Sequence, residues 1–445
     1  MPRRRILFVT DLDVWLLQET GRIVRKAGNQ SLYNTLLGYA RAGWDVEVLT
    51  AKDVHGGIEE LPEGIRIRRA EMLLQRPVRA ARRAMAALRR PAVEPPVAAG
   101  GPANGPRTRL DESAIDNWKR WGAFQVDLGA RTLARCLKWR PDVVYGYEVF
   151  GAPVAVAIGR ALRIPSVTRF QGTLLGAWAD DPARMRRFRT HVAALRSPSD
   201  LVVMADDGTL GDVVLRRLGV DPRRVRFWMN GVVKADVEAA QARLDESPTR
   251  VPRFPTLGTR LSLLTASRLV DWKRVDRALE VLSRLPADVP PWELSIAGDG
   301  PERAALQEMA SRLGLADRVT FLGPIPHDEV MDRLVRADAY LSLYDLSNLS
   351  NGVLEATVAG VPTFALDVGG TSHLVRDGET GVLVRPERLF DDGVKRLARL
   401  LSDAAWRQRL AAGAAQAGRT VVQTWEQRMQ QEIAEVEAIL AHRQG

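Results

Sequence analysis

The stretch "LSLLTASRLVDWKRVDRALEVLSRLPADVPPWELSIAGDGP", residues 261–301, decides the fold. It contains two short apolar runs, one at its start and one close to its end, and a segment of helical length separates them. Short apolar runs bounded by Gly, Pro or Asp and joined through helices are typical of parallel strands that are covered on both faces. The stretch therefore predicts a strand–helix–strand unit of an α/β sheet.

The same alternation extends through most of the chain. The predicted strands are 5–10, 45–50, 142–147, 165–170, 200–205 and 225–230 in the first half, and 261–266, 292–298, 318–323, 339–344, 361–366 and 381–386 in the second. Two such series in one chain predict two Rossmann-like domains, each with a doubly wound parallel sheet.

The series divide the chain into an N-terminal domain, 1–230, and a C-terminal domain, 231–420. We place the boundary after "NGV" because residues 233–260 lose the strand periodicity and gain Pro and Gly. Residues 421–445 have apolar positions at helical spacing and form a predicted terminal helix.

An insertion at about 75–113 interrupts the alternation. A helical piece with several arginines on one face leads into a Pro-, Gly- and Ala-rich part at 91–108, which is typical of a mobile loop. Such a basic helix can lie on an anionic membrane surface, although its apolar face is mostly alanine. A plain solvated helix fits the same pattern.

The composition excludes several classes of protein. One cysteine, Cys136, permits no intramolecular disulfide and favours the cytoplasm. Five histidines without a Cys/His cluster argue against a structural zinc site. The N-terminal apolar run is broken by Asp11 and Asp13, so it predicts a buried strand rather than a signal peptide, and no run is long enough for a membrane span.

The positive charge is concentrated in the N-terminal half. Residues 1–230 contain 38 Lys and Arg against 24 Asp and Glu, whereas the remainder contains 26 against 30. This imbalance favours an anionic partner of the N-terminal domain, such as a phospholipid or a lipid-linked phosphate. Solvated arginines explain it equally well. Nucleic acid is not favoured, because no basic motif is interleaved with aromatic residues.

Ligands of doubly wound sheets bind beyond the carboxyl ends of the strands, so the segments that follow strands are the candidates for a site. Arg268 and Lys273 lie five residues apart on a strand-to-helix connection. Arg supplies a bidentate fork and Lys a compact charge, which together suit a diphosphate. Two solvated charges are the alternative.

Two glycine turns are further candidates. Gly28 and Asn29 precede a helix, where backbone N–H groups can approach a phosphate. Gly298, Asp299 and Gly300 form a tight turn at a strand end that can receive a base or a ribose. Turn formation alone explains either segment.

The polar segment before residue 355 is the last candidate. Asn351 is predicted to cap a helix that begins at the next residue. The N–H groups left for an anion are those of Gly352, Val353 and Leu354. Glu355, in the first turn, is favoured by the helix dipole and is placed to accept hydrogen bonds from a ribose. A first-turn Glu without a ligand is the alternative.

In this order the segments resemble, over nearly the whole chain, the retaining glycosyltransferases of family 4, which belong to the glycosyl transferases group 1 and have the GT-B fold. The matching segments are Gly28 in the glycine loop, "RAGWDVEVLTA", "PDVVYGY", "MNGV", "SRLVDWKRVD", "IAGDGP", "VTFLGPIPHDEV", "LEATVAGVPTFALDVGG" and "DGETGVLV". The resemblance implies two Rossmann-like domains that face each other across a cleft.

The resemblance also implies a role for each candidate. A nucleotide sugar would bind the C-terminal domain, with Arg268 and Lys273 neutralising the departing diphosphate and Glu355 holding the ribose. The phosphates and the sugar would be surrounded by Gly28, Asn29, Ser347 and Asn348. The acceptor would bind the N-terminal domain, where Gln171 and Tyr147 are the candidates, and the terminal helix would cross back to that domain. The family needs no metal ion or cofactor, because basic residues and helix N-termini stabilise the leaving group.

The sequence departs from the family at three positions. Ser347 replaces the first Glu of the E-x7-E motif, Gln171 replaces a His, and His373 replaces the Glu that follows the paired glycines. The replacements remain polar, which favours an altered donor pocket over an inactive one.

The prediction is thus a metal-independent, retaining hexosyltransferase for a glycan, lipid-linked or other hydroxyl acceptor in cell-surface polysaccharide or glycolipid biosynthesis. It would work in the cytoplasm or at the inner face of the membrane, in peripheral contact with anionic lipid. The alternatives are a non-catalytic relative that binds a nucleotide sugar or glycan, and a GT-B-fold nucleotide-sugar epimerase.

Overall fold

The computed structural model describes residues 3–12, 16–17, 23–24, 30–51, 64–70, 118–246, 260–346 and 348–444. Four of the predictions lie outside the described residues: the insertion at 75–113 and the site candidates Gly28, Asn29 and Ser347.

The first sheet belongs to the N-terminal half. Its strands are β1 (Arg5–Thr10), β4 (Asp45–Thr50), β5 (Ile65–Arg69), β6 (Val143–Tyr147), β7 (Ser166–Phe170), β8 (Leu201–Ala205) and β9 (Val225–Trp228), and a small hairpin pairs β2 (Leu16–Leu17) with β3 (Ile23–Val24). The order β5-β4-β1-β6-β7-β8-β9 is parallel throughout, and the order reverses beside β1. The six strands predicted for this half are confirmed.

Strand β5 was missed for a physical reason. Its sequence IRIRR places three arginines among two isoleucines, and of these five residues only Ile65 is buried. An edge strand with charged side chains does not present the apolar run that marks a buried strand, and the charge also discourages pairing with another chain.

The second sheet belongs to the C-terminal half. Its strands are β10 (Leu261–Ala266), β11 (Trp292–Ala297), β12 (Val319–Gly323), β13 (Ala339–Ser342), β14 (Thr363–Leu366) and β15 (Gly381–Val384). The order β12-β11-β10-β13-β14-β15 is again parallel and reverses beside β10. The six predicted strands are confirmed, and two parallel α/β sheets give the predicted fold class.

Helices cover both faces of the sheets. The described helices are α1 (Gln30–Arg41), α2 (Trp118–Trp139), α3 (Glu148–Leu162), α4 (Pro182–Met185), α5 (Arg189–Leu195), α6 (Gly211–Arg217), α7 (Lys234–Asp245), α8 (Val275–Ser283), α9 (Arg303–Arg312), α10 (His327–Arg336), α11 (Asn351–Val358), α12 (Val394–Ser402), α13 (Ala404–Thr420) and α14 (Trp425–Gln444). Within β1, Ile6 and Phe8 pack towards α1 and α14, whereas Leu7 and Val9 pack towards α2 and α3. A strand that is apolar on both faces is buried only by two helical layers.

The terminal helix α14 packs against the N-terminal domain. Trp425, Met429 and Val436 lie in the core that includes β1 and α1, and the N–H of Trp425 donates to the carbonyl of Val232 at 3.3 Å. Helix α7, in the segment expected to lack strand periodicity, packs with the C-terminal domain instead. No helix in the described part of the chain combines the length and apolar composition needed to cross a membrane.

Candidate active site

The carboxyl ends of four neighbouring strands bring polar side chains together in the N-terminal domain. Asp11 follows β1, Glu148 follows β6, Gln171 follows β7 and Asp207 follows β8 by one residue. These strands are adjacent in the sheet, so their ends lie along one edge. This edge is the place where doubly wound sheets bind ligands.

A cavity of about 210 Å³ opens at this edge, between the two domains. Trp272 and Leu346 close it from the C-terminal side. Its lining on the N-terminal side is Glu148, Val149, Phe170, Gln171, Gly172, Thr173, Leu174, His191, Leu195, Asp207 and Thr209. Among the described residues, the wall therefore contains two carboxylates and no Lys or Arg, in contrast to the basic character of this half as a whole.

Glu148 is held in a constrained position. Helix α3 begins directly at Glu148 without a loop, and the residue has a φ of 63°, in the left-handed region that a non-glycine residue seldom adopts. Its Oε1 accepts a hydrogen bond from the N–H of Gln171 at 2.7 Å. Burial raises the pKa of Glu148 to about 8, and the negative charges of Asp11 and Asp207 act in the same direction.

The two acceptor-side candidates take different positions. Gln171 lines the cavity, and its Oε1 accepts a hydrogen bond from the Nδ2 of Asn230 at 3.0 Å. Tyr147 is buried in the core of the domain, and this burial raises the pKa of its hydroxyl. Its neighbour Glu148, the first residue of α3, is the residue that lines the cavity.

On the C-terminal side, the structure brings Arg268 and Lys273 together around Trp272. The Nζ of Lys273 lies 4.4 Å from the centroid of the Trp272 ring and 3.9 Å from that of Tyr344, and the guanidinium carbon of Arg268 lies 5.9 Å from Trp272. Lys273 is 8% exposed. Burial lowers the pKa of Lys273 to about 7; Asp207 across the cleft opposes the shift and Arg268 adds to it.

Arg274 fixes the backbone that carries Lys273. It has a φ of 45°, and its guanidinium, 1% exposed, forms ion pairs with Asp276 at 3.0 Å and Asp345 at 3.5 Å. Asp345 also receives a hydrogen bond from Arg277 at 2.6 Å. Asp345 is therefore engaged with buried arginines.

The predicted glycine turn lies against the segment that carries Arg268. A Cβ at Gly298 would lie 1.9 Å from the carbonyl oxygen of Ser267, and one at Gly300 would lie 2.2 Å from that of Leu269. The N–H of Leu269 donates to the carbonyl of Asp299 at 2.9 Å. These glycines thus permit close packing of two loops, a function that the turn pattern alone did not reveal.

Helix α11 begins one residue earlier than predicted. Asn351 is its first residue, and Ser350 occupies the N-cap position without a side-chain capping hydrogen bond, so the predicted cap at Asn351 is wrong. The N–H groups of Val353 and Leu354 donate to the carbonyl of Ser350 at 3.0 and 3.1 Å and are not left for an anion. Once the helix starts earlier, its third and fourth residues can close the first turn.

Glu355 is buried beside a histidine. Its Oε1 lies 3.0 Å from the Nε2 of His327, the first residue of α10, and the Nδ1 of that ring lies 3.4 Å from Asp236. The contact orients the carboxylate of Glu355 from a different helix. The sequence motif "GPIPHDEV" contains His327, but the spacing to Glu355 gave no indication that the two side chains meet.

His373 and the segment 348–349 lie where the two domains touch. His373 forms a 2.8 Å hydrogen bond with Asp206 of the N-terminal domain. The N–H of Leu349 donates to the carbonyl of Asp207 at 3.0 Å. Asn348 is 1% exposed, and its Nδ2 donates to the carbonyl of Tyr344 at 3.1 Å. The turn 206–209 therefore contacts the C-terminal domain through Asp206 and Asp207.

Comparison with known proteins finds similarity to glycosyltransferases. Residues 252–417, in the C-terminal half of the chain, match the family described as Glycosyl transferases group 1. The chain is 28% identical over 297 residues to glycogen synthase of Mycobacterium tuberculosis, which covers 66% of this chain and 68% of that protein. It is 28% identical over 302 residues to alpha-D-kanosaminyltransferase of Streptomyces kanamyceticus, and the match covers 65% of this chain and 72% of that protein. It spans only 21% of an exopolysaccharide phosphotransferase of Streptomyces coelicolor, at 32% identity over 208 residues and 44% of this chain.

Solved structures establish the GT-B fold. Sucrose-phosphate synthase from Thermosynechococcus elongatus superposes with a TM-score of 0.69 at 18% identity, over 99% of this chain and all of that chain. HepE of Anabaena, in complex with UDP, superposes with a TM-score of 0.65 at 17% identity, over 98% of this chain and 99% of that chain. The order of the two sheets and the cleft between them agree with this assignment.

Proposed function

We propose that this protein is a glycosyltransferase that moves a sugar from a nucleotide-sugar donor to a hydroxyl group of an acceptor. The observation that carries the proposal is the pair Arg268 and Lys273, which converge around Trp272 at the wall of the cleft. A cation whose own pKa is lowered by burial gains stabilisation when an anion arrives, and a departing diphosphate is such an anion. The matched domain and the names of the relatives support the same reaction class.

The finer features of the proposal are retention of the anomeric configuration, independence of metal, and a donor held by the C-terminal domain. The bound UDP in the Anabaena structure makes a uridine nucleotide the first candidate to test. Glu355 would hold the ribose, and His327 would keep its carboxylate oriented. The acceptor would be a glycan or a lipid-linked sugar in surface polysaccharide or glycolipid synthesis, reached from the cytoplasmic side of a membrane.

The test is an assay of the purified full chain with UDP-, GDP- and dTDP-sugars in the presence of EDTA. Transfer or slow hydrolysis with retention, monitored by NMR, is the expected result. Activity that requires a divalent metal, or a product of inverted configuration, would contradict this version of the proposal. Conversion of the donor to an epimer in the absence of any acceptor would favour the epimerase alternative.

A non-catalytic binding protein is the second candidate. It is favoured by the engagement of Asp345 with Arg274 and Arg277, because this carboxylate is paired with arginines and does not face a sugar alone. Calorimetry separates the two: binding of a nucleotide sugar without transfer or hydrolysis would support this candidate.

Binding of the nucleotide is expected to take up a proton above pH 7. In the free protein the buried ammonium of Lys273 has a pKa of about 7, and a neighbouring diphosphate favours the charged form and so raises this pKa. Between the two pKa values one proton enters with the nucleotide, so affinity falls as the pH rises above 7. At pH 8.5 we expect uptake of about one proton, from calorimetry in buffers of different ionisation enthalpy. The variant Lys273→Met should bind more weakly and without this uptake; equal uptake in both proteins would contradict the assignment.

A further inference from the structure

Helix α2 presents apolar side chains to solvent along one stripe. Val126 is 62% exposed and Leu137 is 60% exposed, and they are two of the three large apolar side chains that are exposed among the described residues. Ala130, which is exposed, and Leu133, which is half-buried, lie between them. Positions 126, 130, 133 and 137 follow helical spacing, so they form a stripe about 16 Å long.

The other apolar face of α2 is already covered. Phe124, Leu128 and Cys136 are buried in a core that includes residues of β1 and α3. Single exposed apolar residues are ordinary on protein surfaces, whereas several that share one stripe indicate an interaction surface. Helix α2 therefore holds the protein together with one face and leaves a second apolar face for a partner.

Two cations border the stripe. Arg131 and Lys138 are exposed on the same side of it, and within the described part of the chain neither forms an ion pair. The one carboxylate in the sequence of α2, Asp127, is only 8% exposed. The stripe and these two cations together form the α2 face, which is apolar and cationic.

This chemistry fits an anionic membrane surface better than a second copy of the chain. In a two-fold dimer through the stripe, Arg131 and Lys138 of both copies would come together, and like charges repel. A bilayer interface accepts apolar side chains, and its anionic headgroups attract Lys and Arg. The excess of positive charge in residues 1–230, 38 Lys and Arg against 24 Asp and Glu, acts in the same direction.

One end of the stripe lies at the edge of the sheet that carries the cavity. The Nε2 of Gln125 donates to the carbonyl of Phe150 at 3.0 Å, and the ring centroids of Phe124 and Phe150 are 4.8 Å apart. Phe150 is the third residue of α3, and the first two, Glu148 and Val149, line the cavity. A surface bound to α2 would therefore lie near the edge where the cavity opens.

We propose that the α2 face docks the protein on membranes that contain anionic phospholipid. The sequence made the basic insertion at 75–113 the candidate for such contact, and that insertion lies outside the described residues. It did not single out α2, because both apolar faces of this helix follow helical spacing and only the fold decides which of them is covered. Docking involves neither nucleotide nor acceptor, so it does not rest on the proposed function.

Co-sedimentation of the full chain with lipid vesicles tests the proposal. The vesicles contain phosphatidylcholine alone, or phosphatidylcholine and phosphatidylglycerol in equal amounts. We expect the protein to bind the mixed vesicles and to remain in solution with the neutral ones. High salt should weaken the binding, because it screens the attraction between the cations and the headgroups.

Three variants locate the binding on the α2 face. Val126→Ser combined with Leu137→Gln should weaken binding to mixed vesicles by about tenfold or more, because two apolar side chains no longer enter the interface. Arg131→Gln combined with Lys138→Gln should weaken it by about 10–30-fold, because each cation near the surface contributes about fivefold. Val421→Ser is the matched control: it removes an apolar side chain, 43% exposed, directly after α13, and should bind like the unmodified protein.

The other outcomes overturn the proposal. Equal binding of neutral and mixed vesicles, or no binding to either, removes the anionic membrane as the partner. Unchanged binding in both double variants places membrane contact on another surface. A dimer in sedimentation equilibrium that the Val126→Ser, Leu137→Gln variant dissociates assigns the face to a second copy instead. Thermal melts should match the unmodified protein, because all the replaced side chains are exposed. The vesicle measurements contain no nucleotide, so their failure leaves the proposed sugar transfer untouched.

Discussion

Replacement of Lys273 by alanine is expected to lower the kcat of sugar transfer by about 10²–10³. The side chain is almost fully buried against the rings of Trp272 and Tyr344. In the alanine variant, no other positive charge takes the place of this ammonium beside the departing diphosphate. Stability should change little, because the free protein bears the cost of desolvating this ammonium and the variant is relieved of it. The measurement is steady-state release of nucleotide at pH 7, with a thermal melt alongside.

Two further variants make this result specific. Arg268→Ala should lower kcat in the same direction, and it cannot unfold the domain because the Arg268 side chain is exposed. Arg284→Ala removes an exposed cation directly after helix α8 that pairs with Glu280 and lies over the ring of Phe390, and it should leave the rate unchanged and lower the free energy of unfolding by about 1 kcal/mol or less. Near-normal turnover in both Lys273→Ala and Arg268→Ala would contradict the proposal that these two residues stabilise the departing diphosphate.

The second large effect is expected on stability. Glu432 of α14 is fully buried and receives hydrogen bonds from Arg169 at 2.9 Å, Arg428 at 3.1 Å and the hydroxyl of Tyr145 at 2.7 Å. In Glu432→Gln the two buried guanidinium groups lose their only anion in this described cluster. We expect a loss of about 3–5 kcal/mol in the free energy of unfolding, because an unpaired buried charge is costly.

The matched control lies on the same helix. Glu435→Gln removes the partner of Arg226, and this pair is about a third exposed on both sides. Its removal should reduce the free energy of unfolding by about 1 kcal/mol or less. Urea denaturation followed by circular dichroism measures both variants. Equal midpoints for Glu432→Gln and Glu435→Gln would show that the buried cluster does not stabilise α14 on the N-terminal domain.

The agreement between sequence and fold has a simple origin. A strand covered on both faces must be apolar throughout, and this makes it visible as a short run without knowledge of its neighbours. The twelve strands predicted from such runs are present, whereas β5, whose side chains are mostly arginines, and the two-residue strands β2 and β3 were not predicted. A short apolar run therefore identifies a strand that is buried on both faces, and it does not identify a strand that is only partly buried.

The donor side could be anticipated in part. Arg268 and Lys273 are close in sequence on one connection, so their convergence follows from local geometry. The start of α11 was misplaced by one residue, because both Ser350 and Asn351 are residues that favour an N-cap and the sequence does not choose between them.

The sequence by itself determined the two sheets, the order of their strands along the chain and the cationic pair at the start of the second sheet. Only the tertiary structure decided which carboxylates are available. Asp345 is bound by arginines of the loop after β10 and of α8, and Glu355 meets a histidine of α10. Glu148 lines the cleft, and Arg169 of the same domain pairs with Glu432, 263 positions further along the chain. Side-chain spacing within one segment reports contacts along a helix or strand, but a pKa and a hydrogen-bond partner depend on every element that packs around the group.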